Sequence, residues 1–231
     1  MFFKNCLLGL TSLLLTYSVP LLAADKLLEK AKTQHISLLD KTPNNQKLYD
    51  LYPYSIMYYY GETVSDALGR IVLNGEIHRW PEHIQTIELA QTLSEQNILR
   101  RFFSPVVGVV QMAGNFGIRQ GSNDSHHIYE VDPYLIFRWA NLPWNNYLTT
   151  SFAVGEGVSY VTAVPSLEKK TNKSTKRFLN YLMLEATFAH PQYPRLQFVA
   201  RIHHRSGAYG LYRAGNTGSN DLGLGIRYLF D

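Results

Sequence analysis

The amino-acid sequence predicts an all-β chain, an eight-stranded antiparallel transmembrane β-barrel preceded by a short N-terminal helix. Three observations predict this fold. The chain opens with an apolar leader, eight later segments alternate apolar and polar residues, and the connections between these segments are alternately short and long. An exported chain with this pattern, rich in aromatic residues and without a later hydrophobic helix, is typical of outer-membrane barrels.

The first 24 residues have the layout of a secretory signal peptide. Lys4 precedes an apolar run from Leu7 to Leu22, and the small residues Ala23 and Ala24 follow. Cleavage after Ala24 and export to a bacterial outer membrane are therefore expected. An uncleaved transmembrane anchor is the alternative, because the run is long enough to allow it. The only cysteine, Cys6, lies in this leader, so the mature chain is expected to hold no disulfide and no thiolate metal site.

The composition argues against nucleic acid as a partner. The chain has 22 basic and 18 acidic residues, and loss of the leader would lower the net charge from +4 to +3. We find no basic stripe with interleaved aromatic residues, which nucleic-acid binding would require. The 16 Tyr, 11 Phe and 3 Trp, with only 17% charged residues, instead suit a chain in contact with lipid.

Two regions are predicted beyond the leader. Residues 25–50 form a periplasmic N-terminal segment that is partly helical, because Leu28, Ala31, His35 and Leu38 recur at helical spacing. Residues 41–46, KTPNNQ, are expected to end that helix. Residues 51–231 form the barrel.

Eight segments of the barrel region are predicted as strands, each of roughly the length that crosses a bilayer when tilted. They are Tyr54–Tyr60, Ile84–Leu93, Pro105–Gly117, Ile128–Ala140, Tyr147–Tyr160, Arg177–Ala189, Arg195–Ser206 and Asn220–Phe230. The run Arg70–Arg79 alternates poorly and is placed in the first long loop. The C-terminal strand, with Phe230 next to last, would be the segment that the barrel assembly machinery recognises.

A two-residue period does not say which face of the strands is inside. A soluble lipocalin-like barrel would keep the apolar stripe inside, whereas a membrane barrel turns it outward. Aromatic strand ends favour the membrane form. The lumen would then hold seven charges that must pair to offset desolvation, and eight strands leave no room for a pore. These charges are Glu88, Glu130, Asp132, Arg138, Glu185, Arg201 and Arg227.

The seventh predicted strand carries the candidate chemistry. In LQFVARIHHRSG, His204 and Ser206 continue the face of Leu196 and Phe198, because residues i and i+2 share a face of a strand. An imidazole beside a serine can take its proton and make the hydroxyl a nucleophile. The alternative is that both residues only mark the interfacial edge of the wall. His203 points to the opposite face, which disfavours a two-histidine metal site.

The segments IHHRSG and AGNTGSNDLGLGIRY resemble the C-terminal third of the outer-membrane lipid A 3-O-deacylases. The resemblance implies an eight-stranded barrel with an active site on its outer wall, Ser206 as nucleophile and His204 as general base. It implies lipid A or a related glycolipid as substrate and neither a metal nor an organic cofactor. Gly207 stands where the family pattern His-x-Ser-Asn has asparagine, so backbone N–H groups would have to bind the oxyanion.

Three residues are candidates for orienting the histidine. Asn220 falls on the outer face, and an asparagine can fix a histidine tautomer. Asp221 falls on the lumen face unless a bulge near Gly218 turns it outward. Glu156 lies on the outer face but two strands away. We predict that Ser206 and His204 lie within hydrogen-bond reach, with Asn220 or Asp221 at the other ring nitrogen. The alternative functions are a non-catalytic barrel with an anchoring or adhesive role, and a soluble periplasmic lipid-binding barrel.

Overall fold

The computed structural model describes residues 45–121, 127–215 and 217–231. The predicted signal peptide and most of the predicted N-terminal helix lie outside these residues. The described chain begins with helix α1 (Asn45–Leu51). The predicted helix break over residues 41–46 is therefore wrong for Asn45 and Gln46, which open this helix because they precede the buried pair Leu48 and Tyr49.

Eight antiparallel strands follow and close into a barrel, as predicted. Each strand pairs with its neighbours in sequence, and β8 pairs with β1. The strands are β1 (Tyr54–Val64), β2 (Arg79–Thr92), β3 (Val109–Gly121), β4 (Ile128–Trp139), β5 (Thr149–Val161), β6 (Phe178–Ala189), β7 (Leu196–Ser206) and β8 (Gly218–Phe230).

Three short helices lie in the connections: α2 (Leu68–Asn74), α3 (Ile98–Phe103) and α4 (Ser166–Thr171). None of the helices in the described part of the chain is long and apolar enough to cross a membrane. One end of the barrel, here the loop end, carries connections L1 (residues 65–78), L2 (of which residue 127 is described), L3 (162–177) and L4 (207–215 and 217). The opposite end, here the turn end, carries the start of β1 and the last residues of β8.

The apolar stripe faces outward and the charges face inward. On β7 the side chains of Leu196 and Phe198 are 49% and 65% exposed, whereas Arg201 is 1% exposed. Glu185 is the cross-strand partner of Arg201 and is 5% exposed. The seven predicted lumen charges are all buried. This arrangement contradicts the lipocalin-like alternative and gives the outer wall of a membrane barrel.

Both ends of the barrel are covered. At the turn end, Leu48 and Tyr49 of α1 pack against Val109, Ala140 and Leu229. At the loop end, α4 buries Leu167 and Glu168. The Glu168 carboxylate accepts hydrogen bonds from Arg205 Nε at 3.0 Å and Ser219 Oγ at 2.9 Å. The interior is thus a packed ionic core, and no channel is needed to explain its polar residues.

Candidate functional site

His204, Ser206 and Asn220 lie together on the outer wall, where β7 and β8 approach the loop end. His204 is the cross-strand partner of Asn220, and Ser206 is the partner of Gly218. The His204 and Ser206 side chains are half-buried rather than exposed. L1 folds over the wall here, and a cavity of about 660 Å³ is lined by all three residues and by residues 65–70, 72 and 73 of L1.

A chain of hydrogen bonds fixes the histidine. His204 Nδ1 lies 2.7 Å from Asn220 Oδ1. Asn220 Nδ2 donates to the backbone carbonyl oxygen of Asp66 at 2.8 Å, so its amide orientation is set. Because Oδ1 is an acceptor, the proton in the first contact belongs to His204 Nδ1. The neutral ring therefore carries its free acceptor on Nε2, which is the atom that a general base needs.

Asp66, whose carbonyl oxygen is the last acceptor in this chain of hydrogen bonds, was not among the residues predicted from the sequence. Its carboxylate accepts hydrogen bonds from the backbone N–H of His78 at 2.6 Å and from His78 Nδ1 at 2.8 Å. The two residues close L1 across its base. The His78 side chain lowers the pKa of the Asp66 carboxyl, and the carboxylate in turn raises the pKa of His78. The poor alternation of Arg70–Arg79 indicated a loop but not this contact.

The predicted hydrogen bond between Ser206 and His204 is not formed among the described residues. The Ser206 hydroxyl instead accepts from the backbone N–H of Ala208 at 3.4 Å. Ala208 has φ +45°, a left-handed conformation that is uncommon for a residue with a Cβ. Attack by Ser206 would require its hydroxyl to rotate toward Nε2 of His204.

The backbone around Gly207 offers one donor for an oxyanion. The N–H of Gly207 donates to the carbonyl oxygen of Thr217 at 2.9 Å, so it is already engaged. The N–H of Ala208 points at Ser206 and is the remaining candidate. A Cβ on residue 207 would lie 2.4 Å from the carbonyl oxygen of Gly215. The fold of L4 therefore explains why glycine stands where the family pattern has asparagine.

The other two candidates for the orienting residue lie elsewhere. The register between β7 and β8 continues without a shift through Asp221, so the bulge considered for this residue is not formed. Asp221 faces the lumen and binds Arg119 Nη1 at 2.8 Å and Nη2 at 2.7 Å. Glu156 is exposed on the outer wall of β5, and Leu182 of β6 separates it from His204. Only Asn220 contacts His204.

The wall of the cavity combines apolar and basic groups. Leu184 lines its base, and Val72 and Leu73 of α2 form its rim, both of them exposed. Arg70 also lines it, with a largely exposed side chain. Such a cavity can accept an amphiphilic molecule whose chain lies along the wall and whose polar part reaches the loops.

Comparisons with known proteins identify no family for the chain. No protein-family model and no curated protein matches the chain. Among solved structures, it is similar to the outer membrane enzyme PagL, with a TM-score of 0.44 and 12% identity, covering 75% of this chain and 98% of that one. It is similar to Neisserial surface protein A, with a TM-score of 0.43 and 8% identity over 77% and 96%.

A third similar structure is the outer membrane protein OprG from Pseudomonas aeruginosa, with a TM-score of 0.32 and 13% identity over 77% of this chain and 96% of that one. These values describe a shared barrel shape and do not bear on activity. The resemblance of the C-terminal third to the deacylase family stays a prediction.

Proposed function

We propose that the chain is a bacterial outer-membrane serine acyl hydrolase that removes an ester-linked acyl chain from lipid A or a related glycolipid. One observation carries the proposal. His204 and Ser206 share a cavity on the outer wall, and Asn220 binds the histidine nitrogen that must carry the proton if Nε2 is to act as base. Polar residues on a lipid-facing wall are costly, which favours a functional role.

The chemistry follows from these atoms. Ser206 Oγ attacks the ester carbonyl carbon while His204 Nε2 takes the hydroxyl proton. The Ala208 N–H, which donates to Ser206 Oγ at 3.4 Å, is the donor that we assign to the tetrahedral oxyanion. Collapse breaks the ester C–O bond, and the imidazolium returns its proton to the departing alcohol. Water, deprotonated by the same nitrogen, then releases the fatty acid and restores the serine.

Asn220 supports this cycle less strongly than a carboxylate would. It fixes the ring and the tautomer, but it supplies no negative charge to stabilise the imidazolium. The proposal therefore expects a slow hydrolase. A substrate that already resides in the outer leaflet, next to the wall, suits such an enzyme because it need not be captured from water.

Mass spectrometry of lipid A tests the proposal. Cells that express the wild-type chain should yield lipid A lacking one ester-linked acyl chain, and cells that express Ser206→Ala or His204→Gln should not. Ser65→Ala is the matched control, because Ser65 lines the same cavity and bonds to the His78 carbonyl oxygen. An unchanged lipid A profile with folded wild-type protein in the membrane would refute the hydrolase.

One observation favours a second function. No hydrogen bond joins Ser206 to His204 in the described part of the chain, and His204 is linked through Asn220 to the Asp66 carbonyl oxygen. His204 and Asn220 can therefore equally form a polar anchor for L1. The barrel would then be a non-catalytic protein that anchors or adheres through its loops. In that case Ser206→Ala leaves lipid A unchanged, and loss of L1 abolishes the binding of cells that carry the barrel to their target surface.

A further inference from the structure

Three buried residues of the lumen, on β4 and β7, form a cluster that has no role in the proposed reaction. Glu130, Asp132 and His203 each offer one donor atom, and these atoms lie within 4.8 Å of one another. His203 Nε2 is 2.7 Å from Glu130 Oε1 and 3.9 Å from Asp132 Oδ2. All three side chains are 0% exposed.

Asp132 is the observation that points to a ligand. Neither of its carboxylate oxygens has a hydrogen-bond partner among the described residues. The nearby Ser159 hydroxyl has a single proton, which it donates to Glu130 Oε1 at 3.1 Å. A fully buried carboxylate without a donor is strongly disfavoured unless it is paired, protonated or bound to a metal.

The charge of the lumen gives an independent argument. The buried charged residues of the strands and α4 comprise seven carboxylates and five guanidinium groups, which leaves an excess of two negative charges when His203 is neutral. The carboxylates are Glu82, Glu88, Glu130, Asp132, Glu168, Glu185 and Asp221, and the guanidinium groups are Arg119, Arg138, Arg201, Arg205 and Arg227. One divalent cation would bring this balance to zero.

We infer that Glu130, Asp132 and His203 form a structural site for a divalent transition-metal ion, with Zn²⁺ as the first candidate. Two carboxylates and one imidazole are a donor set that Zn²⁺ and Mn²⁺ accept, whereas Ca²⁺ and Mg²⁺ prefer oxygen alone. Donors at about 2.1 Å from a tetrahedral zinc lie roughly 3.4 Å apart. The measured separations of 2.7 and 3.9 Å bracket this value.

The surroundings fit the site. Arg119 Nη2 donates to one oxygen of Glu130, Oε2, at 3.1 Å. The other oxygen, Oε1, accepts from Ser159 at 3.1 Å and has a second lone pair for the ion. The His203 ring is held between Tyr181, at 4.7 Å edge to face, and Tyr59, at 6.5 Å. The side chain of Asn115, the cross-strand partner of Asp132, has no hydrogen-bond partner for its Oδ1 within residues 45–121, 127–215 and 217–231, and it is a candidate fourth donor.

The ion would join β4 to β7, which are not neighbours in the barrel. It would therefore brace the loop end across the lumen. His203 directly precedes His204 in the chain and faces the opposite side of the wall. The metal site in the lumen is therefore separate from the proposed active site on the outer wall. The metal would have a structural role, because the proposed reaction uses no metal.

Metal analysis tests the inference. Untagged wild-type protein is folded into detergent micelles, incubated with Zn²⁺ alone or Mn²⁺ alone, and dialysed. The bound metal is then quantified by inductively coupled plasma mass spectrometry. We expect about one ion per chain for the wild type and a loss of that ion in Asp132→Asn. His190→Gln is the control for adventitious binding, because His190 is exposed at the turn end, and it should retain the ion.

If Asp132→Asn fails to fold, thermal unfolding of the wild-type protein tests the inference without the variant. Its unfolding midpoint should rise when Zn²⁺ is added and fall when the metal is removed by a chelator. Absence of a bound ion in folded wild-type protein would overturn the inference. So would an Asp132→Asn variant whose midpoint exceeds that of the zinc-treated wild type, since this would show that a proton rather than a metal balances the carboxylate.

Discussion

At the scale of single residues, Asn220 decides whether His204 can act as a base. Its Oδ1 binds His204 Nδ1, and its Nδ2 is held by Asp66, so both ends of the amide are committed. We expect Asn220→Ala to lower the turnover of ester hydrolysis by up to about 10²-fold, because the ring loses both orientation and tautomer. Asn180→Ala is the control, since Asn180 pairs with Ser206 on β6 whereas His204 pairs with Leu182. Equal loss in both variants would contradict the role of Asn220.

Gly207 is the residue at which the chain departs from the deacylase pattern. Restoring the asparagine should harm the protein, because a Cβ at this position lies 2.4 Å from the Gly215 carbonyl oxygen. We expect Gly207→Asn to lower the free energy of unfolding by roughly 1–3 kcal/mol, the usual cost of overpacking, and not to raise activity. Unfolding in detergent measures this. Gly69→Ala, whose Cβ meets nothing within 4 Å, should be no less stable than the wild type.

The sequence placed Ser206, His204 and Asn220 on one wall because a two-residue period fixes the face and a single loop makes the two strands antiparallel neighbours. It could not find Asp66, which meets Asn220 across 154 positions of the chain through a backbone oxygen. A contact made by a backbone oxygen does not require a particular amino acid at that position, so the sequence does not reveal it. The predicted Ser206–His204 hydrogen bond is not formed among the described residues, and the Ser206 hydroxyl accepts from the Ala208 N–H of L4 instead.

At the scale of the elements, L1 depends on the contact between Asp66 and His78. The Asp66 contribution is complete above the ordinary carboxyl pKa of 3.8 and is lost as the pH falls through its lowered folded value. The His78 contribution is complete below the ordinary imidazole pKa of 6.5 and is lost as the pH rises through its raised folded value. L1 should thus be held most firmly between about pH 4 and pH 6.5.

Limited trypsin cleavage after Arg70, an exposed residue of L1, measures this dependence. The ratio of the cleavage rate of His78→Gln to that of the wild type cancels the pH profile of trypsin itself. We expect that ratio to be largest near pH 6 and to approach one as the pH rises beyond the raised pKa of His78. A ratio that does not change with pH would show that the imidazole charge does not hold the loop.

The strand bounds also follow from L1. β1 continues to Val64 and β2 begins at Arg79, beyond the predicted ends at Tyr60 and Ile84. Near the loop end, L1 and L3 cover part of the outer wall. Outer-face side chains there contact these loops instead of lipid, so the sequence no longer alternates clearly between apolar and polar residues. Trp80, for example, donates to Ser166 of α4 at 2.9 Å.

At the scale of the whole molecule, the barrel is held by an ionic core rather than by an apolar one. Glu88 and Glu185 bind Arg201 and Arg227, and Glu185 also binds Arg138. The sequence predicted which residues face inward, because alternation fixes the face. It could not predict which charges pair, since the partners come from non-adjacent strands whose relative height depends on the register of all eight.

Glu185 is the centre of this core, and its removal tests how the barrel is stabilised. Its carboxylate accepts from Arg138 Nη2 at 2.8 Å, Arg201 Nε at 2.9 Å and Arg227 Nη1 at 2.6 Å. We expect Glu185→Gln to lower the free energy of unfolding by about 3–5 kcal/mol, because it leaves buried guanidinium charge uncompensated. Urea unfolding in lipid vesicles measures the loss. Glu156→Gln, on the outer wall, is the charge-matched control and should change the free energy of unfolding by less than about 0.5 kcal/mol.

The double variant Glu185→Gln with Arg227→Met should recover part of the lost stability, because it removes one uncompensated charge. Glu88 keeps Arg201 as its partner at 2.5 Å in this variant. If the double variant is no more stable than Glu185→Gln alone, charge balance is not what holds the lumen together.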